Sequence, residues 1–430
     1  MNIAIAGTGY VGIVTAVCLA DIGHHVTCID IDVEKVEKMK NGITPVFEAG
    51  LKELMDKNHD SLVFTTDYQQ AYKTSDIIYI CVGTPERRDG YANLSYLYEV
   101  SKQIALSVDK EIFVVVKSTV PIGTCRKVED YINSISIAHV EVISNPEFLS
   151  QGTAIRDTFN AERIVIGVES DFAKKFIQSI YERFNQKIII TNRESAEMIK
   201  YASNDFLALK ISYINEIANL CELVGANIDD VTYGMGLDSR IGSKFLNAGI
   251  GYGGSCFPKD TKALHWLSKY HDYELKTVKA AIEVNENQKI KLIKKARKYY
   301  KSFNNLNIAV LGLTFKPNTD DLREAPSLEN IPLFLDDGAN VRVWDKVAID
   351  NFRKIYGTKL TYCSSIDEAI DQADICFIFT EWDDIKLYTL EKYKSLMKTP
   401  LVIDGRNCYT LDRAREAGII YHSIGRPAIE

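Results

Sequence analysis

The sequence lacks the features that mark membrane, secreted, zinc-binding or nucleic-acid-binding proteins. It has no apolar run of the ~18 residues that a membrane-spanning helix needs, and its apolar start lacks a basic leader segment. Its nine cysteines form no C-x-x-C pair and have no histidine spacing typical of zinc. Basic charge is not in excess, since 51 Lys and Arg face 58 Asp and Glu. We therefore expect a cytoplasmic protein with reduced thiols and without a metal, nucleic-acid or membrane partner.

The remaining composition is that of a folded chain with a sizeable core. Hydrophobic residues make up 46% and charged residues 25% of the 430 positions, values near globular averages. The length exceeds that of one domain of ~150 residues. Two large domains with a connecting element, or three domains, are expected.

Short apolar runs alternate with helical patterns in both halves of the chain. Continuous apolar strands of this kind are typical of a parallel sheet covered on both faces. The fold class is therefore predicted as α/β, with two doubly wound Rossmann-like domains joined by a long central helix. The strands are predicted at 3–6, 26–30, 77–81, 112–116, 140–143, 163–167, 307–312, 341–344, 375–378 and 401–403.

The centre of the chain is predicted to be helical. Thr191 and Glu194 fit a capping box, and no Gly or Pro follows until Gly225, so one helix of ~50 Å is expected. Its apolar residues cover more than one face, which indicates burial against both domains or against a second subunit. A homodimer through this helix is therefore a hypothesis. A second helical stretch is predicted at 259–300. The expected domains are 1–192, 193–300 and 301–430.

A glycine motif opens the first predicted βαβ unit. Gly7, Gly9 and Gly12 follow a strand and begin a helix, and Asp30 ends the second strand 18 residues later. Glycines allow a diphosphate to approach a helix N-terminus, and an acid at this spacing binds ribose hydroxyls and repels a 2′-phosphate. The motif predicts an NAD site. The alternative is a glycine-rich turn without a ligand.

Cys256 differs in its surroundings from most of the other cysteines. It lies in a glycine-rich loop before a helix that is predicted to begin near Pro258, with Lys259 close by. A helix N-terminus and a lysine both favour the thiolate, so Cys256 is a candidate nucleophile. The alternative is a buried, inert thiol. That second reading fits the cysteines within apolar runs, which are Cys18, Cys28, Cys81, Cys221 and Cys376.

Five polar residues are further candidates. Lys200 and Asn204 are four apart on the central helix and share a face, although a solvated pair has the same spacing. Thr119 and Glu147 each follow a predicted strand, at the edge where ligands of parallel sheets bind. Asp260 is either a catalytic acid or an ordinary acid in a first helical turn.

Together these segments resemble the UDP-glucose/GDP-mannose dehydrogenase family from Met1 almost to the last residue. The resemblance implies that UDP-glucose is oxidised at C6 to UDP-glucuronate with two NAD, and that a homodimer forms. It implies that Cys256 captures the aldehyde as a thiohemiacetal, which becomes a thioester and is hydrolysed. The segments that carry it are 7–12, 117–121, 145–149, 200–204, 245–260 and 315–321.

The resemblance also implies residue roles. Lys200 and Asn204 would stabilise an oxyanion, Asp260 would hold a water, Thr119 would position a basic water and Glu147 would assist acid–base steps. Cofactor contacts would come from Gly7, Gly9, Tyr10, Val11, Gly12, Asp30, Lys35, Thr84, Thr119, Gln151, Lys259 and Arg323. Substrate contacts would come from Glu147, Phe148, Leu149, Lys200, Asn204, Arg240 of the partner subunit's copy, Phe245, Leu246, Asn247, Ala248, Gly249, Gly253, Lys316 and Arg406.

One position departs from the family pattern. Gln151 stands where many relatives have a second glutamate, and a glutamine cannot take a proton. Lys35 has an alternative reading as a solvated helix lysine. Two other functions remain open at this point, a dehydrogenase of GDP-mannose or UDP-N-acetylmannosamine and a non-catalytic dinucleotide-binding regulator.

Overall fold

A computed structural model describes all residues from Met1 to Glu430. The chain divides into two compact units, of which the first comprises Met1–Ser203 and Trp266–His271. The second unit comprises Asn204–His265 and Asp272–Glu430. None of the helices combines the length and the apolar character needed to cross a bilayer.

The first unit contains an eight-stranded sheet with helices between its strands. Two short 3-10 helices cover His59–Ser61 and Glu182–Phe184. The strands are β1 (Asn2–Ala6), β2 (His25–Ile29), β3 (Leu62–Thr65), β4 (Ile77–Ile80), β5 (Ile112–Val116), β6 (Val140–Ser144), β7 (Ile164–Gly167) and β8 (Ile188–Thr191). The helices are α1 (Tyr10–Asp21), α2 (Val33–Lys40), α3 (Leu51–Lys57), α4 (Tyr68–Thr74), α5 (Ser95–Ser107), α6 (Thr124–Asn133), α7 (Ala154–Phe159) and α8 (Asp171–Tyr181).

The strand order of this sheet is β3-β2-β1-β4-β5-β6-β7-β8. The direction of winding reverses between β1 and β4, which leaves a crevice at the carboxyl end of β1. The prediction of a wholly parallel sheet is wrong at one pair, because β6 and β7 meet in an antiparallel pairing of Ser144 with Gly167. The sequence of β7 is as apolar as that of its parallel neighbours, so its direction is not encoded there.

The second unit contains a six-stranded, entirely parallel sheet in the order β11-β10-β9-β12-β13-β14. Two doubly wound sheets are thus confirmed. The helices that precede this sheet are α9 (Arg193–Val224), α10 (Ile228–Gly236), α11 (Phe257–Tyr270), α12 (Lys276–Lys289) and α13 (Lys291–Ala296). The remaining elements are β9 (Asn307–Leu311), α14 (Pro326–Asp336), β10 (Asn340–Trp344), α15 (Ile349–Tyr356), β11 (Thr361–Tyr362), α16 (Ile366–Ile370), β12 (Ile375–Ile378), α17 (Asp383–Lys386), α18 (Leu390–Leu396), β13 (Leu401–Asp404), α19 (Leu411–Ala417) and β14 (Ile420–His422).

Two helical predictions need correction. Thr191 does not cap α9, because it is the last residue of β8; the side chain of Asn192 caps the helix instead and accepts a hydrogen bond from the Ser195 amide at 2.7 Å. The helix links the two units over 32 residues, or ~48 Å at ~1.5 Å per residue. The stretch 259–300 is three helices, since Asp272 turns left-handed at φ 53° just after α11.

Alternate residues of each central strand lie in different apolar clusters, one on each face of the sheet. In β9, Ile308 and Val310 belong to one apolar cluster, whereas Ala309 and Leu311 belong to another. The central strand of the first sheet divides its residues in the same way. Both faces of each sheet are therefore covered, as the continuous apolar runs predict.

The aromatic centre of the second unit yields a test of its core. Phe377 is fully buried and stacks on Phe334 at 4.7 Å between ring centroids. We expect Phe377→Ala to lower the unfolding free energy of this unit by about 3–5 kcal/mol, because a cavity replaces the ring. Leu387→Ala is the control, since Leu387 is 80% exposed and should change stability by less than about 0.5 kcal/mol. Denaturant titration of both variants measures the difference, and equal midpoints would contradict the assignment of this core.

Candidate active site

The glycine turn lies at the carboxyl end of β1, where the sheet's winding reverses. Gly7 has φ +92°, and a Cβ atom at Gly12 would lie 1.9 Å from the Gly7 carbonyl oxygen. Gly12 is therefore required for the turn to pack against α1. A Cβ atom at Gly9, by contrast, would have no neighbour within 4 Å. Gly9 leaves open space at the helix N-terminus, where Tyr10 and Val11 begin α1.

Asp30 lies beside this turn, directly after β2. Its carboxylate accepts hydrogen bonds from the Thr8 amide at 3.0 Å and from the Lys35 ammonium at 2.7 Å. Burial opposes ionisation, but the hydrogen bonds from Lys35 and Thr8 outweigh it and lower the pKa of Asp30. Lys35 is thus paired with Asp30, while its side chain remains 26% exposed.

A cavity of about 300 Å³ opens here, and Gly7, Gly9, Asp30 and Lys35 are among its lining residues. An ionised carboxylate suits ribose hydroxyls, and an unobstructed helix N-terminus suits a diphosphate. These residues fit a bound dinucleotide.

The corresponding acid of the second sheet is occupied by the protein itself. Asp345 follows β10 as Asp30 follows β2, but it is buried and accepts hydrogen bonds from Leu313, Val347 and Ala348 amides at 2.7–2.9 Å. The Trp382 indole donates a further bond at 3.1 Å. This carboxylate has no lone pair left for a ribose. The second sheet therefore repeats the topology of the first without repeating its dinucleotide chemistry.

Polar residues meet at the strand ends of the first unit. The Thr84 hydroxyl donates to the carbonyl of Thr119 at 2.8 Å. Glu147 is 6% exposed and accepts hydrogen bonds from the Lys200 ammonium at 3.1 Å and from the Leu149 amide at 2.6 Å. Lys200 is 3% exposed and lies 5.4 Å from the centre of the Phe148 ring. The alternative of a solvated Lys200 is wrong, because this ammonium is buried against a carboxylate.

Glu48 joins two of the predicted segments and was not found from the sequence. Its carboxylate contacts the Tyr10 hydroxyl and accepts hydrogen bonds from the amides of Gly152 at 2.6 Å and Ala154 at 2.7 Å. Burial raises the pKa of Glu48, and the backbone donors oppose that rise. Glu48 thereby connects the glycine turn to the segment that follows Glu147 and Gln151. An acid in a loop gives no sequence signal for such a role.

Cys256 immediately precedes α11. Its carbonyl accepts the Asp260 amide at 2.9 Å, so the thiol stands at the N-terminal end of a 14-residue helix. It is one of two half-buried cysteines, whereas the other seven are buried. Arg323 has its pKa raised mainly by its hydrogen bond to Asp321, and the charge of Cys256 adds to the rise. The helix dipole and this arginine both favour the thiolate.

Asn204 and Asp260 form a buried pair in the second unit. The Asn204 amide donates to Asp260 at 2.7 Å, and the Lys259 ammonium contacts the other carboxylate oxygen. Asp260 is fully buried, which contradicts the reading of an ordinary first-turn acid. Asp205 lies beside them with both oxygens unpartnered, and burial, together with Asp260, raises its pKa to about 8. Sequence reasoning missed Asp205, because an acid next to Asn204 on a helix looks like a solvated residue.

The predicted substrate segments lie in varied environments. Leu246 and Gly249 are buried, Asn247 is exposed, and Phe245 adopts a left-handed φ of 65° with its ring 6.3 Å from that of Phe257. Ala248 is half-buried, and a Cβ atom at Gly253 would lie 2.2 Å from the Glu324 carbonyl oxygen.

The lysine and arginines predicted to bind the substrate also lie in varied environments. The Lys316 ammonium lies 5.6 Å from the Phe315 ring centre, and Arg240 is exposed and pairs with Asp238 at 2.6 Å. Arg406 donates to the carbonyls of Phe379, Gly251 and Phe315 at 2.9–3.1 Å. The binding roles expected for these residues stay predictions.

Comparisons with known proteins agree with this arrangement. Three domains of the UDP-glucose/GDP-mannose dehydrogenase family match the chain: the NAD binding domain over residues 1–185, the central domain over 194–287 and the UDP binding domain over 309–411. A UDP-glucose 6-dehydrogenase of Bacillus subtilis is 49% identical over 100% of this chain and 98% of its own length. One of Rhizobium meliloti is 46% identical over 99% of this chain and all of its own length.

A solved structure has the same fold. The UDP-glucose dehydrogenase of the archaeon Pyrobaculum islandicum is 35% identical, with a TM-score of 0.93 over 99% of this chain and 98% of its own. The family resemblance seen in the motifs is thereby confirmed. Domain matches over most of the chain and full-length relatives at 46–49% identity lead to one conclusion: the chain is an NAD-dependent dehydrogenase and belongs to the UDP-glucose/GDP-mannose dehydrogenase family.

Proposed function

We propose that this dehydrogenase oxidises UDP-glucose at C6 to UDP-glucuronate, as a cytoplasmic enzyme that uses two NAD per turnover. The observation that carries the proposal is the placement of Cys256 at the N-terminus of α11, at the end of a glycine loop. A simple alcohol dehydrogenase needs no thiolate, whereas oxidation beyond the aldehyde does. Relatives at 46–49% identity carry the name UDP-glucose 6-dehydrogenase. The proposed division of labour is cofactor binding by 1–192, dimerisation and the Cys256 loop in 193–300, and UDP-sugar binding by 301–430.

The proposed chemistry proceeds in four steps at C6. NAD, when bound, supplies the hydride acceptor for both oxidations. A water positioned by Thr119 takes the hydroxyl proton as the alcohol becomes an aldehyde. The Cys256 thiolate then adds to the aldehyde carbon, and loss of the second hydride leaves a thioester. Water cleaves the C–S bond, which releases the acid and returns the thiolate.

Buried donors support these steps. The ammonium of Lys200 and the amide of Asn204 would stabilise the oxyanion that forms when the thiolate adds, because fixed donors in a dry site act on developing charge. Asp260, fully buried and hydrogen-bonded to Asn204, would hold the hydrolytic water. Glu147 would assist the acid–base work of the hydrolysis, since Gln151 cannot take a proton. The ion pair of Glu147 with Lys200 is consistent with this role.

We further propose that the protein is a homodimer through α9. Phe206, Tyr213 and Leu220 recur every seven residues on this helix and are 61%, 48% and 52% exposed. A stripe of exposed large side chains at this spacing suits a second helix. A dimer would also give the exposed Arg240 a sugar site to reach in the partner.

The first prediction from the proposed function concerns stoichiometry. With saturating NAD we expect about two NADH per UDP-glucose and little turnover of GDP-mannose or UDP-N-acetylmannosamine. Cys256→Ser should lower the rate of acid formation by roughly 10³-fold or more, because no thioester forms. Cys408→Ser is the control, since Cys408 is the other half-buried thiol.

Each of the other outcomes selects a different reading. Normal acid production by Cys256→Ser would contradict the thioester scheme. Turnover of another sugar alone would replace the substrate, and absence of turnover with all three would favour a regulator.

The second prediction concerns cofactor choice. Asp30→Asn removes the charge that binds ribose and leaves the Lys35 ammonium, now 2.7 Å from Asp30, to attract a 2′-phosphate. We expect kcat/KM for NAD to fall about 10- to 100-fold, with the NADP/NAD ratio rising by a similar factor. Asp32→Asn, which alters an exposed cap of α2 two residues away, should leave the ratio unchanged. An unaltered ratio in Asp30→Asn would show that Asp30 does not select the cofactor.

The third prediction concerns assembly. Phe206→Glu combined with Leu220→Glu should convert the protein to a monomer of 48.4 kDa in light scattering, because charges replace the apolar stripe. Leu387→Glu, at an 80% exposed site away from α9, should leave the mass at twice this value. A wild-type protein that elutes as a monomer would refute the dimer directly.

A further inference from the structure

The loop that leads to Cys256 is held by buried amide side chains. Asn285 of α12 is 1% exposed and brackets Tyr252: its Oδ1 accepts the Tyr252 amide at 2.8 Å, and its Nδ2 donates to the Tyr252 carbonyl at 3.1 Å. Gly251, at φ +89°, permits this approach, because a Cβ atom there would lie 2.6 Å from Asn285 Oδ1. A single side chain thus satisfies both polar groups of a residue in the middle of the loop.

Two side chains share the same task at Gly249, three residues earlier. Its amide donates to Asn215 Oδ1 at 2.8 Å, and its carbonyl accepts Gln288 Nε2 at 2.7 Å. Gln288 is in turn fixed by the Asn219 amide at 2.9 Å. Asn215 and Gln288 are 0% and 1% exposed, so water does not compete for these bonds.

The residues between and after these two are also held. The Ile250 amide donates to the Gly405 carbonyl at 3.0 Å, the Gly251 carbonyl accepts Arg406 at 3.1 Å, and the Gly254 amide donates to the Arg323 carbonyl at 2.8 Å. These bonds therefore hold the backbone from Gly249 to Gly254 in one conformation ahead of α11.

We infer that Asn285 is a positioning residue for Cys256, which fixes the loop so that the thiolate meets the aldehyde carbon before the aldehyde leaves. The inference rests on the proposed thioester function and assigns this residue a specific part in it. Covalent capture is sensitive to geometry, since a displacement of about 1 Å in a reacting group can cost about 10²-fold in rate. The bonds of Asn285 that carry the inference go to Tyr252, so its effect on the thiol passes through the loop.

The test compares two aspartates on one helix. Asn285→Asp keeps the size of the side chain but replaces the donor to the Tyr252 carbonyl with an oxygen that repels it. Asn287→Asp makes the same change two residues later, at an exposed amide that bonds only within α12, to the Glu283 carbonyl. Both variants and the wild type are assayed as full-length enzyme, with semicarbazide present to trap any free aldehyde.

The first readout is the number of NADH formed per UDP-glucose consumed. We expect about two for the wild type and for Asn287→Asp, and a value moving toward one for Asn285→Asp, with the missing fraction recovered as trapped aldehyde. This ratio belongs to each turnover, so a loss of folded protein alone does not change it. A ratio of two in Asn285→Asp would overturn the inference and leave Asn285 a purely structural residue.

The second readout is hydrogen exchange of the loop amides, followed by mass spectrometry on a peptide covering 249–256. We expect exchange in Asn285→Asp to be faster by about tenfold or more, with α1 of the first unit unchanged. Unaltered exchange would also overturn the inference. If the wild type itself gives one NADH per sugar, the thioester function fails, and exchange still decides whether Asn285 holds the loop.

A milder variant guards against loss of the folded protein. Gln288→Glu removes the donor to the Gly249 carbonyl at the far end of the same loop. It should shift both readouts in the same direction by a smaller amount. Wild-type values for both readouts in this variant and in Asn285→Asp would leave no positioning role for the amides.

Discussion

A tight loop of glycines cannot pair its own backbone, and the structure around Cys256 depends on how that constraint is met. A buried amide or carbonyl without a partner costs about 1–3 kcal/mol, so each one between Gly249 and Gly254 calls for a donor or acceptor from elsewhere. Asn285, Gln288 and Arg406 provide them. The glycines allow the backbone to bend, and the buried side-chain amides restrict the conformational freedom that glycine would otherwise have. The loop before Cys256 is therefore held by side chains from other parts of the chain.

The two sheets show how one topology is given two chemistries. In the first, Asp30 accepts hydrogen bonds that stabilise its ionised form, and a cavity lies beside it. In the second, Asp345 directs its oxygens to backbone amides and an indole, and a Cβ atom at Gly312 would meet Thr380 at 2.4 Å. Strand order decides where a ligand can lie. The hydrogen bonds of Asp30 and Asp345 decide whether the acid after the second strand of each sheet can still accept a bond from a ligand.

Much of the fold could be predicted from the sequence, because apolar strands between helices leave a plain pattern. The strands at 112–116 and 375–378 match β5 and β12 to the residue. The predictions omitted β3, β8, β11 and β14, which are strands of two to four residues and lie at or near the sheet edges. The start of α9 was placed at Thr191 because Asn192 and Thr191 are both good caps, and only strand pairing separates them.

The candidate site was predictable only where chemistry leaves a motif. Glycines, a cysteine in a glycine loop and an acid at the end of a strand can be recognised without coordinates. Glu48, Asp205 and Asn285 cannot, since each acquires its meaning from a partner distant in the chain. Sequence patterns report local structure, whereas the surroundings of a reactive group are assembled from several elements.

The bond from Arg406 to Gly251 spans 155 residues and has a consequence for biosynthesis. When the loop leaves the ribosome, the arginine that clamps it has not been made, and neither have the strands that place Gly405. The first unit holds its own glycine turn and could gain its cofactor pocket early. The loop before Cys256 can reach its final setting only once the chain has been made past β13 to Arg406, so a chain cut short before that point would lack these two contacts to the loop.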